Sequence, residues 1–255
     1  MKLVKGRTPF ELPLDRSCQV IDYHPSGIWA IEKASGILSH PNGKAENSRV
    51  LLHSSYDIDL EKYYWTDVNG RQREFYLLHR LDSATSGLIL GASNIELAEK
   101  LKSAFSNREI KKTYLAVVAY NGREIRPIWK DILQKKTTKG RIRVTKGKSG
   151  DFSLTSTSMQ RSISTRFGSL ALLQLKPKTG RTHQLRVQCA SRQLPIIGDR
   201  TYGNFELNRK IHKATKVQRL CLHASKIRLF IKTGKMDIDW EVESAMPREF
   251  TRLLH

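Results

Sequence analysis

The stretch HRLDSATSGLIL, residues 79–90, sets an aspartate between cationic residues and a run of small, hydroxylated ones that leads into an apolar segment. An extended backbone alternates its side chains at period two, so Arg80 and Asp82 fall on one face. SATSG then reads as a turn whose small side chains let a large planar group approach the backbone, with Gly87 free to take the φ the turn requires. Taken alone, an aspartate beside Thr and Ser is more often a turn or helix cap than a nucleophile. The rest of the chain has to decide between salt bridge, cap and catalyst.

Outward from this stretch, SNIELAEKLKSAF has Ser93 and Glu96 at capping-box spacing and Leu97, Ala98, Leu101 and Phe105 along one face, which predicts a helix. KTYLAVVAY follows as a β-branched, apolar strand. Upstream, Ile28 to Glu32 reads as a strand, punctuated by turns at Gly36 and at Asn42-Gly43. Downstream, SLALLQLKP is a buried strand, and THQLRVQCASR is helical, with Thr182 as N-cap and Leu185 and Cys189 one turn apart. KIRLFI and MDIDWEV alternate as half-buried strands, and a closing helix begins near Pro247 and buries Phe250 with Leu253 or Leu254. Between Trp129 and Thr157 the chain turns rich in Lys, Gly and Thr, as two strands joined by basic turns that stand away from the core. That hairpin arm, 130–157, is either a solvated surface or an RNA grip. Many strands, few helices and no βαβ rhythm give an α+β protein around a mixed, largely antiparallel sheet flanked by helices and loops. No linker or repeat divides the 255 residues, so one domain over 1–255 is the simplest parse.

Forty-five Lys and Arg against 24 Asp and Glu leave a formal charge of +21, far beyond what solubility needs, and point to a polyanionic partner. Nucleic acid fits better than a membrane surface, because the cations are spread along the chain instead of lining one amphipathic helix. No stretch approaches the ~20 apolar residues of a membrane span, the first residues lack an apolar signal core, and the expected compartment is the cytoplasm. Cys18, Cys189 and Cys221 are isolated and read as free thiols, and the eight histidines form no metal-ligand pair.

A second segment changes the odds for Asp82. PKTGRTHQLRVQCASRQLPIIGDRTYG, residues 177–203, carries Arg181, Arg186 and a tight GDRTYG loop. Together the two segments resemble the RluA-type family of RNA pseudouridine synthases, whose hallmarks are HRLDxxTSG and GRTHQLRVH with PIxGDxxYG. EKASGILSHP, KKTYLAVV and RLCLHASKIRL are similar to three further signatures of that family, in the family's order, from Ile28 to Phe230. The departures are Gln188 where histidine is common, Ala34 for a proline, and Ala119-Tyr120 where a glycine often closes the strand. The last two bear on loop shape and RNA fit more than on chemistry.

The resemblance implies the pseudouridine synthase fold, without a separate S4-type N-terminal domain, and an enzyme that isomerises uridine in ribosomal or transfer RNA without a metal or redox cofactor. It implies Asp82 as the catalytic carboxylate, Arg181 as the cation that keeps it charged and aimed, and Tyr114 as the platform against the flipped base. It further implies Arg80 as the side chain that fills the gap in the RNA and Leu222 as a wall of the uracil pocket, with Thr85 and His183 in substrate binding. Whether the carboxylate adds covalently or abstracts a proton from C2′ stays open. No obligatory protein partner is implied, and a monomer is the default. Two other classes remain: an RNA chaperone on the same fold with dispensable catalysis, and a metal-dependent nuclease or phosphatase, against which the lack of paired carboxylates at ligand spacing counts.

Overall fold

The computed structural model describes residues 8–41, 49–138, 141–231 and 237–255. Its strands begin with β1 Gln19–His24, β2 Ile28–Lys33, β3 Ser55–Asp57, β4 Lys62–Thr66, β5 Gln72–Leu77 and β6 Ser86–Ala92, followed by helix α1 Ile95–Ser106. Next come β7 Lys111–Ala119, β8 Ile128–Thr138, β9 Arg141–Lys146, β10 Asp151–Thr165 and β11 Gly168–Pro177. Helices α2 Gln184–Ala190 and α3 Phe205–Thr215 precede β12 Leu222–Ile231, β13 Ile238–Glu243 and α4 Arg248–Leu253. The α+β architecture expected from the sequence is what the chain forms.

The chain falls into two compact units, one of residues 1–110 with 226–244, the other of 111–225 with 245–255. In the first, β2 pairs antiparallel with β1 and β6, and β3, β4, β5 and β6 follow one another in antiparallel order. The last six residues of β12 pair with β13. The core lies between this sheet and α1, where Leu97, Ala98, Leu101 and Ala104 meet Ile28, Leu88, Leu90, Ile227 and Leu229. Phe105 is only partly buried against it. The helix starts one residue later than the capping-box spacing suggests. Ser93 is engaged by the Gly27 carbonyl through both its amide and its hydroxyl, so Asn94 caps instead, its Oδ1 accepting from Leu97 N at 2.9 Å. The Asn42-Gly43 turn lies outside the described residues.

In the second unit β11 is central, antiparallel to β7 on one side and β10 on the other, and β10 pairs with β8, which pairs with β9. The basic arm is thus β8, β9 and the start of β10, and it does not stand away from the core. Leu133 and Val144 are buried with Val187 of α2, and Tyr202 packs against them. Alternation explains the misreading: each strand of the arm carries one apolar face, and α2 supplies the surface it needs. The cap of α2 also differs. His183, in the left-handed region at φ 54°, precedes the helix, and the side-chain oxygen of Gln184 takes up Arg181 N at 3.1 Å, leaving Thr182 out of the cap. The closing helix buries Phe250, Leu253 and Leu254 alike.

Candidate active site

Asp82 sits in the loop between β5 and β6, half-buried, between buried Leu81 and exposed Ser83. The backbone around it is fixed from three directions. Ser39 Oγ donates to Leu81 O at 2.9 Å and accepts from Leu81 N at 3.1 Å, and Ser35 Oγ donates to Ala84 O at 2.7 Å. The fully buried Lys33 ammonium donates to the carbonyls of Ala34, Ile37 and Ser83 at 2.9, 2.8 and 3.1 Å. Thr85 is buried and closes the turn, its amide donating to Asp82 O at 3.0 Å. Gly87 has φ 110°, which meets the need for a glycine here.

Arg80 points the other way from Leu81 and is exposed at 59%. Its guanidinium lies 3.3 Å from His40 Nε2 and 4.0 Å from Glu61. Since His40 Nδ1 lies 2.9 Å from Pro41 O and donates there, Nε2 is the acceptor Arg80 finds. His40 stacks on Tyr56 at 5.1 Å, and burial followed by the Glu61 charge pushes the Tyr56 hydroxyl up to about 12. Arg80, Asp82 and Thr85 are therefore gathered on one tightly braced loop.

In the second unit the TGRTHQ loop leaves the end of β11 and is docked onto β10. Thr179 Oγ1 donates to Gln184 Oε1 at 2.8 Å and accepts from Leu154 N at 3.0 Å, while Gln184 Nε2 donates to Thr155 Oγ1 at 3.0 Å. Arg181 projects from this loop, 43% exposed, with Nε 3.4 Å from Phe152 O and a terminal nitrogen 3.4 Å from Asp151. Tyr114 on β7 lies opposite Leu175, two residues before β11 ends at Pro177. The Val117 N to Cys221 O and Ser225 Oγ to Thr113 O hydrogen bonds bracket Tyr114 on β7 and Leu222, buried, on β12. His183 Nδ1 lies 2.9 Å from the Tyr202 hydroxyl.

Several residues to which the sequence reading gave no role hold these parts in place. Arg186 makes a buried bidentate pair with Asp199 at 2.8 and 2.9 Å, and Asp199 also accepts the amides of Thr201 and Tyr202. Burial works to raise the Asp199 carboxyl, but the Arg186 hydrogen bonds and charge and the two amides outweigh it and leave it lowered. Gly198 and Gly203 let this loop close: a Cβ on Gly198 would lie 1.8 Å from Arg219 O, and one on Gly203 2.3 Å from Asp199 O. Asp131, buried on β8, lies 2.7 Å from the Lys146 ammonium and accepts from Gln188 Nε2 and Arg192 at 2.9 Å each. Gln188, at the position where histidine is common, thus serves as a post between α2 and β8. Lys112 is another residue to which the sequence reading gave no role. Burial lowers its pKa, and Gly180 of the TGRTHQ loop passes close to its ammonium. Its nearness to that loop becomes visible only once β7 and β11 are paired. Among the described residues no His, Cys, Asp and Glu cluster has the makings of a metal site, and no helix is long and apolar enough to cross a membrane.

The fold is that of solved pseudouridylate synthases: human RNA pseudouridylate synthase domain containing 1 superposes with a TM-score of 0.61 at 23% identity, over 94% of this chain and 86% of that one. A family profile described as RNA pseudouridylate synthase matches residues 27–191. The chain is 31% identical to the ribosomal large subunit pseudouridine synthase D of Borreliella burgdorferi, over 92% of its own length and 67% of the relative's. It is 30% identical to the ribosomal large subunit pseudouridine synthase C of Rickettsia bellii, over 99% and 76% of the two chains. To the tRNA pseudouridine synthase C of Yersinia pestis it is 30% identical, over 82% and 80%. The chain belongs to the RNA pseudouridylate synthase family, in its RluA-type branch, and is an isomerase that converts uridine in RNA to pseudouridine.

Proposed function

We propose that the substrate is a uridine in ribosomal or transfer RNA, flipped out of its stack, and that Asp82 is the carboxylate that acts on it. The observation that carries this reading is the presentation of Asp82: Lys33, Ser35 and Ser39 brace the backbone on both sides of it, while the residue itself stays half-buried at the loop surface beside exposed Arg80. A carboxylate held this way suits a reaction that must find it in one place. In that reaction the bond between C1′ and N1 breaks, the freed uracil turns, C5 bonds to C1′, the C5 proton leaves to solvent, and N1 takes up a proton, so that the product is an isomer of the substrate. No redox or metal step is needed.

Flipping costs a few kcal/mol. Stacking on the Tyr114 ring offsets about 1–3 kcal/mol of it, and Arg80 takes the place the base vacates. By the family's pattern Arg181 is the cation that serves the catalytic carboxylate, Leu222 walls the uracil, and Thr85 and His183 complete substrate binding. We take residues 1–255 as one catalytic domain. The enzyme would act in the cytoplasm as a monomer, with RNA as its only obligatory partner.

The test is tritium release from RNA labelled at C5 of uridine, with ribosomal and transfer RNA compared. Wild type should release tritium from one class, and Asp82→Asn, melting normally and binding RNA normally, should release none. Turnover by Asp82→Asn at the wild-type rate would refute the assignment.

A further inference from the structure

The strands β8, β9 and β10 present two unlike faces. Trp129, Asp131 and Leu133 of β8, Val144 of β9 and Ser153 and Thr155 of β10 are buried on one. Register places Ile128, Lys130, Ile132, Gln134 and Lys136 of β8 on the other, beside Arg143 and Thr145 of β9 and Phe152 and Leu154 of β10. On this outward face Ile128 is 54% and Phe152 41% exposed, and Lys130, Lys136 and Arg143 are exposed with them.

Two features of the face are unfavourable for a surface that meets only water. Lys136 and Arg143 stand directly opposite across the β8–β9 ladder, an arrangement that destabilises a hairpin. Phe152, directly opposite Ile132, puts an aromatic ring into solvent between cations. Among the described residues of the three strands, no acid shares this face: Asp131 points inward, and Asp151, in register with Leu133, pairs with Arg181. The inward face supplies what holds the arrangement together. Leu133 and Val144 pack on Val187 and Tyr202, Val144 N donates to the Tyr202 hydroxyl at 2.8 Å, and Asp131 binds Lys146, Gln188 and Arg192. The fold therefore keeps uncompensated cations and an exposed ring in one rigid frame.

We propose that this outward face is a binding surface for a single-stranded RNA segment, with phosphates on Lys130, Lys136 and Arg143 and a base stacked on Phe152. It rests on the reading of the chain as an RNA-modifying enzyme and adds to it a contact surface outside the motifs assigned to the uridine. Lys130 and Lys136 are six residues apart on one strand, about 20 Å, the reach of a short oligonucleotide instead of a single nucleotide. Charge complementarity selects a polyanion, and the exposed ring selects one with unstacked bases: the interior of an RNA duplex offers no base faces, whereas a single strand does.

The test uses the whole protein and a fluorescently labelled, unstructured 12-nucleotide RNA, with a duplex of the same length beside it, in anisotropy titrations across a salt series. Phe152→Ala should weaken single-strand binding about tenfold at every salt concentration, and Phe152→Trp should restore it. Lys136→Gln with Arg143→Gln should flatten the slope of log affinity against log salt by about 1.4. A control pair on α3, Arg209→Gln with Lys213→Gln, removes the same charge elsewhere and should leave that slope in place. Equal losses in the control pair would reduce the effect to net charge and overturn the proposal. So would unchanged affinity and slope in the Phe152 and Lys136/Arg143 variants, the result expected if the face serves an acidic protein instead. The catalytic reading is scored separately: patch variants that bind like wild type while tritium release persists sink the surface alone, and absence of release from any RNA by wild type sinks the reading beneath it.

Discussion

Replacing Lys33 by methionine keeps the length and most of the volume of a fully buried side chain and removes its charge and its donors. Three carbonyls, those of Ala34, Ile37 and Ser83, lose a partner at 2.8–3.1 Å. A buried acceptor left unpaired costs about 1–3 kcal/mol. Part of that sum is recovered, because the variant no longer takes an ammonium out of water. The balance is a loss of about 2–4 kcal/mol, read as a shift in the midpoint of urea unfolding at constant slope. The second consequence is kinetic. Ser83 is the residue next to Asp82, so freeing its carbonyl lets the loop drift, and a displacement of about 1 Å costs on the order of a hundredfold in turnover. Tritium release should therefore fall at a temperature where the variant is still fully folded, with RNA affinity little changed. A Lys33→Met protein that is destabilised but turns over normally would refute the positioning role. One that turns over normally and unfolds within about 1 kcal/mol of wild type would refute the strut altogether.

Gly198→Ala puts a Cβ against Arg219 O at a residue with φ 77°, so the backbone must move; several kcal/mol of stability should go, visible in the same urea titration. Asp131 and Asp199 have lowered pKa values in the fold, so their stabilisation is complete above the ordinary aspartate value of 3.8 and is lost as pH falls through the lowered folded values. Asp199→Asn should cost about 3–5 kcal/mol at neutral pH, by stranding Arg186, and flatten the acid limb of the stability profile. Tyr114→Phe should bind RNA as wild type does and lose turnover if the hydroxyl helps remove the C5 proton; equal rates would leave stacking as its whole role. Raising salt should weaken RNA binding steeply and stabilise the free protein slightly, and a flat binding curve would contradict the polyanion argument.

What the sequence discloses and what it hides divides along the range of the forces involved. Periodicity found β2, α1, β7, β11, β12, β13 and α4, because each buries one regular face. It did not isolate β3, β4 and β5, where Asp57, Asp59, Asp67 and Asn69 interrupt short strands, nor α3, where only Ile211 is buried and the helix rests on its Asn204 cap. Asp82, Tyr114 and Arg181 stood out through motif resemblance. Their supports did not: Lys33 reaches Ser83 across 50 residues and Gln188 reaches Asp131 across 57, and no local pattern marks a lysine or a glutamine as a strut. The basic arm shows the same limit. Its charge was legible, but its buried face depends on a helix some forty residues away from β9 in the chain.

The charge of +21 looks different once the acids are located. Asp131 and Asp199 are buried, and between them they bind Lys146, Arg192 and Arg186. Asp15, buried in the first unit, is held well below the usual carboxylate range, chiefly by its hydrogen bond from Arg49. Carboxylates held this way fix loops and strands, and two of the cations they bind, Arg49 and Lys146, reach the surface from the other side of the pair. An acid placed outside would cancel a cation and weaken the attraction for RNA; placed inside beside an arginine, it adds rigidity while leaving the outer cations in force. The same chain can therefore be strongly basic toward a polyanion and still hold its loops still. The arm is the clearest instance: Asp131 binds Lys146 and Arg192 from the inward face, and Lys130, Lys136 and Arg143 stand on the outward one with no acid beside them among the described residues of the three strands.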